Sequence, residues 1–260
     1  MRKVIKLQGG KFSVELEEYG SGEPLLFLHG AAGLSGFESF LEELGKDFHV
    51  LAPHLPGFGA STGSEQIDDV IDAALFYHEL MDELKLGAAN ILGHSMGGML
   101  AAEVAALDVH RAKKLVLVGA SGFWLDAHPI PDIFAAQLYE LADLLFHDPK
   151  STLAQTFTAL PTDMEALGAM YLERTQRFTM ASKFLWPIPD RGLKKRAYRI
   201  AAPTLILWGE SDKLIPPAYA EEFARHIKNS RVQIIKEAGH MLPYEQQAVF
   251  LKAVCEFLRS

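Results

Sequence analysis

Short apolar runs recur along the chain, each ending in a glycine, proline or polar turn. Residues 24–28 (PLLFL) run into His29-Gly30, residues 50–52 (VLA) into Pro53 and residues 90–92 (NIL) into Gly93. Further on, residues 114–118 (KLVLV) reach Gly119 and residues 203–208 (PTLILW) reach Gly209, with residues 231–235 (RVQII) as a weaker example. Near-continuous apolar runs predict strands buried on both faces, as in a parallel sheet. By contrast, residues 12–17 (FSVELE) alternate apolar and polar positions, which predicts a half-solvated antiparallel edge strand. Between these runs the period changes. Residues 66–86 carry Ile67, Val70, Ile71, Ala74, Leu75 and Tyr77 on one helical face, with Ser64 placed to cap it. Residues 97–106, 218–227 and 245–258 also predict helices. Strand and helix in repeated alternation mean βαβ units and a doubly wound, mostly parallel sheet.

The alternation breaks between about 122 and 200. Residues 131–147, 151–160, 162–178 and 191–199 predict helices with no convincing strand among them, and Thr162 with Glu165 forms a capping-box pattern. Pro187 and Pro189 interrupt the segment before its last helix. Helices inserted into a sheet protein predict a cap: a core of residues 1–122 and 200–260, and a helical cap of residues 123–199. No internal repeat or low-complexity tract is seen.

Composition narrows the partners. The 260 residues suit one or two domains, and 49% hydrophobic with 22% charged residues is a globular balance. Lys plus Arg is 25 against 33 Asp plus Glu, a net charge of −8, which argues against a nucleic-acid partner. Cys255 is the single cysteine, so no intramolecular disulfide forms. The charged, alternating start (MRKVIKL) lacks the apolar region of a secretory signal, and no run approaches the roughly 18 apolar residues of a membrane span. The expectation is a soluble, cytoplasmic protein. No residue pattern indicates a particular oligomeric state.

The segment Gly93-His94-Ser95-Met96-Gly97-Gly98 carries the most chemical information. It follows an apolar strand and opens a small-residue helix, the setting of a nucleophile elbow. The turn is sharp enough to exclude neighbouring side chains, and Ser95 would stand at a helix N-terminus that favours developing negative charge. Here the chain resembles the serine α/β-hydrolases that carry a helical cap. The resemblance spans nearly the whole chain and rests on the elbow and three other places. Leu28-His29-Gly30-Ala31-Ala32-Gly33 is similar to the family's oxyanion loop, and Leu55-Pro56-Gly57-Phe58-Gly59-Ala60-Ser61 to its turn after the fourth strand. Gly209-Glu210-Ser211-Asp212 and Ala238-Gly239-His240 are similar to the segments that carry its acid and base. The resemblance implies an α/β-hydrolase fold with the helical cap inserted after the sixth strand.

Chemical reasoning reaches the same residues. Serine needs a base to take its proton, and that base needs an orienting group. Asp212 and His240 each follow a predicted strand, and the chain order Ser95, Asp212, His240 suits this fold. Asp126 and Glu210 are the rival acids; Asp126 lies well past its strand and Glu210 is two positions from Asp212. His94 reads as support within the elbow. His54 stands where relatives often have Asp, and His78-Glu79 lacks the second histidine of a zinc site. Backbone N–H groups of Met96 and Ala31, with Ala32 as neighbour, would form the oxyanion hole. There is no phosphate-binding loop and no CxxC or paired-histidine site, so neither metal nor cofactor is expected. The basic residues Arg191, Lys194, Lys195, Arg196 and Arg199 read as a solvated helix face.

Aromatic and methionine residues in the cap predict an apolar pocket, with Trp124, Trp186 and Met241 as substrate contacts. The predicted activity is hydrolysis of carboxylic esters of hydrophobic, uncharged, small-to-medium substrates through an acyl-enzyme. Anionic substrates would need a local basic pocket, which the sequence does not mark. An alternative is C–C bond hydrolysis of ring-cleavage diketo acids by meta-cleavage-product hydrolases, which look similar. Those enzymes typically have Asn before the serine and often Trp after the histidine, where this chain has His94 and Met241. Epoxide and haloalkane hydrolases use Asp at the elbow. A further alternative is a slow-turnover ligand sensor.

Overall fold

The structure, a computed structural model, describes residues 1–187 and 190–260. Pro189, one of the interrupting prolines, lies outside the described residues. The apolar runs form the strands β3 (Pro24–Leu28), β4 (His49–Pro53), β5 (Ala89–His94), β6 (Ala112–Val118), β7 (Thr204–Gly209) and β8 (Ser230–Ile235). They follow β1 (Arg2–Leu7) and β2 (Phe12–Tyr19) in an eight-stranded sheet of order β1-β2-β4-β3-β5-β6-β7-β8. All pairs from β4 to β8 are parallel, while β1–β2 and β2–β4 are antiparallel. The doubly wound, mostly parallel sheet expected from the sequence is therefore the observed architecture. One strand adds to it. β1 covers the edge expected for β2, its Lys3 pairing with Glu18 and its Arg2 with Glu17. Most of its side chains are exposed, so it lacks an apolar signature.

Helices cover both faces. On one lie α1 (Ser39–Leu44) and α9 (Gln247–Arg259), where Phe40, Leu41, Phe250 and Val254 pack on Leu25, Val50, Leu92 and Leu205. On the other lie α2 (Val70–Glu83), α3 (Met96–Leu107) and α7 (Ala218–His226). The strands β3, β4, β5 and β7 thus bury alternate side chains against a different helical layer, which is why those runs are near-continuously apolar, whereas the outer strand β8 leaves Arg231, Gln233 and Ile234 exposed. Helix α2 starts at Val70 rather than near Ser64, because the Asp69 carboxylate accepts from Ile71 N and Asp72 N at 2.7 and 3.1 Å.

Between β6 and β7 the chain is helical, but less so than expected. Residues 131–137 are irregular; a 3₁₀ turn (Leu138–Glu140) leads into α4 (Leu141–Leu145) and then α5 (Thr152–Phe157). The long α6 (Met164–Leu185) is capped by Asp163, which accepts from Ala166 N at 2.7 Å, one residue beyond the expected Thr162. Residues 193–199 form two 3₁₀ turns instead of a helix.

Arg196 corrects the reading of a solvated basic face. Its Nε and Nη2 donate to the two carboxylate oxygens of Glu103 on α3, at 2.7 and 2.6 Å, and Glu103 is fully buried. A carboxylate inside a helix layer needs such a partner, and losing one leaves an uncompensated buried charge. Arg196→Met is expected to lower stability by about 3 kcal/mol at neutral pH, read as a lower urea midpoint at unchanged slope. Burial holds the Glu103 carboxyl above its ordinary range. The penalty for charging it therefore grows as pH rises from the ordinary carboxyl range toward that raised value and is complete above it, so the deficit shrinks in acid. The double variant Glu103→Leu/Arg196→Met should regain most of the loss.

Candidate active site

Ser95 stands between β5 and α3 with φ +57° and ψ −121°. This left-handed geometry is costly for a side chain and is over-determined here. Its N–H donates to Val118 O at 2.9 Å, and its carbonyl accepts from Gly98 N, Met99 N and Ser121 N. The flanking glycines are steric necessities: a Cβ on Gly93 would lie 2.3 Å from Gly97 O, and one on Gly97 2.0 Å from Leu28 O. The elbow thus presses α3 against both β5 and β3, which puts Ser95 beside the loop that follows β3.

Asp212 and His240 arrive from loops after β7 and β8 and are both buried. His240 Nε2 lies 2.9 Å from Ser95 Oγ, and its Nδ1 lies 2.8 Å from Asp212 Oδ2. The other carboxylate oxygen of Asp212 accepts from Leu214 N and Ile215 N at 3.0 and 2.8 Å. The structure brings together the three residues singled out in the sequence. Asp126 is exposed and accepts from Trp124 Nε1; Glu210 is also exposed.

Two other histidines are locked in the neutral state. His94 Nε2–H donates to the His240 carbonyl at 2.9 Å. Burial and the neighbouring His240 hold its pKa down at about 3. His29 Nδ1–H donates to Gly30 O at 2.8 Å while Nε2 accepts from Leu55 N at 3.1 Å, and burial lowers its pKa to about 4. One fixes the backbone of His240, the other the loop carrying Ala31. Met96 is the first residue of α3, so its N–H has no intrahelical acceptor. Ala31 lies beside Ser95 in the cavity walls.

Two cavities meet at Ser95. The smaller, about 80 Å³, is lined by apolar groups that include Met99, Phe123, Phe134 and Phe184. The larger, about 480 Å³, takes in His240, Met241, Tyr244 and residues of α6. Met241, expected as a substrate contact, lines the larger cavity. Neither Trp124 nor Trp186 lines either cavity: the first is turned to Asp126, and the second is half-exposed with its ring edge-on to Phe134. Among the described residues no cluster of three or more His, Cys, Asp or Glu is arranged to hold a metal ion, and no helix is long and apolar enough to cross a membrane.

The profile of the alpha/beta hydrolase fold family matches residues 23–247. The chain belongs to that family. It is 29% identical over 259 residues to Lipase 3 of a Moraxella species, covering 93% of this chain and 79% of that protein. It is 25% identical to the 2-hydroxy-6-oxo-2,4-heptadienoate hydrolase of Pseudomonas putida, over 96% of this chain and 94% of the relative. Among solved structures, a putative lipase from Acinetobacter baumannii superposes with a TM-score of 0.77 at 27% identity, covering 99% and 90% of the two chains. This alpha/beta hydrolase is thus similar both to lipases and to a 2-hydroxy-6-oxo-2,4-heptadienoate hydrolase.

Residues not foreseen complete the site. Glu245, five positions after His240, accepts from Gly239 N and His147 N, both at 2.7 Å. Burial raises its carboxyl pKa. It clamps the loop that carries His240 to the segment after α4. The only signal for it in the sequence is an acidic residue in the short helix α8 (Leu242–Glu245) after a glycine loop. Arg174 and Arg177, one turn apart on α6, border the larger cavity. Arg177 pairs with Glu173 at 2.5 Å, and Arg174 lies over the Phe178 ring at 4.5 Å. The sequence reading marked neither arginine, and the same cavity wall also carries Glu38 and Glu173.

Proposed function

We propose that the protein is a carboxylic-ester hydrolase that works through an acyl-enzyme on Ser95. The observation that carries this is the unbroken relay from Ser95 Oγ to His240 to Asp212, with Asp212 Oδ1 held by the N–H groups of Leu214 and Ile215. His240 takes the Ser95 proton as the oxygen attacks the ester carbonyl, and Asp212 stabilises the imidazolium that forms. The N–H groups of Met96 and Ala31 receive the oxyanion. His240 then protonates the leaving alcohol and activates water to release the acid. In this reading, residues 1–122 and 200–260 form the core, and residues 123–199 form a cap whose side chains close the apolar walls over Ser95.

A second reading is hydrolysis of a C–C bond in a ring-cleavage diketo acid. Arg174 and Arg177 in the cavity wall favour it, since they offer charge to a carboxylate. Arg177 already carries Glu173, and His94 and Met241 stand at positions where the resembling enzymes have Asn and Trp, so the ester reading is preferred. Two measurements test it. A fluorophosphonate probe should label Ser95 stoichiometrically and abolish turnover of p-nitrophenyl butyrate, and that ester should be turned over faster than a diketo acid. Labelling elsewhere, or faster turnover of the diketo acid, overturns the ester reading.

A further inference from the structure

The two cavities at Ser95 differ sixfold in size, and His240 faces only one of them. Ser95, Ala31, Ile133 and Leu214 line both, so they form the partition. His240, Met241 and Tyr244 line the larger cavity of about 480 Å³ and not the smaller one of about 80 Å³. In the tetrahedral intermediate the leaving oxygen must lie against His240 Nε2, because it takes its proton from that atom. The alcohol therefore occupies the larger cavity, and the acyl substituent points the other way. On this ground, which rests on the ester-hydrolase reading, we infer that the enzyme takes esters of short acids with bulky alcohols.

The sizes set the scale. A cavity of roughly 150 Å³ holds a benzene ring, so 80 Å³ accommodates an acyl tail of a few carbons. The smaller chamber is walled by Met99, Phe123, Phe134 and Phe184, and behind Gly122 there is no slack. A Cβ there would meet Leu193 Cδ2 at 2.7 Å and Met99 Cγ at 3.1 Å. A volume near 480 Å³ lies within the roughly 300–1,000 Å³ of small-molecule sites, so the alcohol side has room for a long chain or ring system.

Octyl acetate and ethyl octanoate test this, because they are isomers that differ only in which side of the ester carries the long chain. The purified enzyme should prefer octyl acetate in kcat/KM by roughly 10- to 100-fold, the discrimination that methylenes in a filled pocket produce. Phe134→Ala, at a partly buried position, should narrow that ratio by raising turnover of ethyl octanoate. Equal rates, or a preference for ethyl octanoate, with turnover still dependent on Ser95 overturn the acyl assignment and leave the role of Ser95 standing. Absence of Ser95-dependent turnover with these and with p-nitrophenyl butyrate overturns the ester-hydrolase reading and this inference together.

Discussion

Replacing Ser95 by alanine lowers kcat for p-nitrophenyl butyrate by on the order of 10⁴–10⁶ and leaves the fold intact. The two halves of that expectation have separate causes. Activity is lost because Oγ is the atom that faces His240 Nε2 at 2.9 Å, and no other nucleophile lies in that relay. Stability is kept because the elbow is held by backbone bonds to Val118, Gly98, Met99 and Ser121, none of which uses the hydroxyl. Alanine also keeps the Cβ whose strain at φ +57° the elbow already tolerates. Thermal unfolding should therefore shift by less than about 4 °C, the scale of a 1 kcal/mol change in a chain this size. A variant that folds and still cleaves the ester at near parental rate removes Ser95 from the chemistry.

What the sequence disclosed about this site follows from how local each constraint is. The elbow was legible because Gly93 and Gly97 are required by contacts that recur wherever a strand turns this sharply into a helix. Asp212 and His240 were legible because each ends an apolar strand and a short loop, and strand order then brings the loops together. Glu245 and Arg196 were not, because each acts on a partner distant in sequence: Gly239 and His147 for the first through its clamp, Glu103 for the second. A charge pattern alone reads Arg196 as solvated; only a buried carboxylate across the interface shows otherwise. The segment before β7 misled most. Residues 131–137 have helix-compatible spacing but pack as irregular chain, with Ile133 and Phe134 against the cavities. Trp124 and Trp186 are large and apolar, which predicts burial but not which side of a thin helical layer they take. The cavity walls draw side chains from segments far apart in sequence, so their size was the part least visible from residues.

The acid of the relay gives the second large effect. Asp212→Asn is expected to lower kcat by about 10⁴ with little change in KM or stability. The structure says why an isosteric amide does so much harm. One carboxylate oxygen accepts from Leu214 N and Ile215 N, and the other faces His240 Nδ1 at 2.8 Å. In the variant the amide oxygen must stay with the two N–H donors, since an NH₂ group there would meet donors only. The NH₂ is then forced toward His240, which has to accept at Nδ1 and carry its proton on Nε2. That tautomer points a hydrogen at Ser95 Oγ, where the reaction needs a lone pair, so the base is lost without the loop moving. Fluorophosphonate labelling of Ser95 should slow by a comparable factor, because it requires the same proton transfer. Asp212→Ala should lose activity and, unlike Asn, also stability, because Leu214 N and Ile215 N are left buried without an acceptor. Asp126→Asn and Glu210→Gln serve as controls and should stay near the parental rate, both side chains being exposed. If Asp212→Asn retains kcat within about tenfold while either control falls by 10³ or more, the carboxylate that orients His240 is not Asp212.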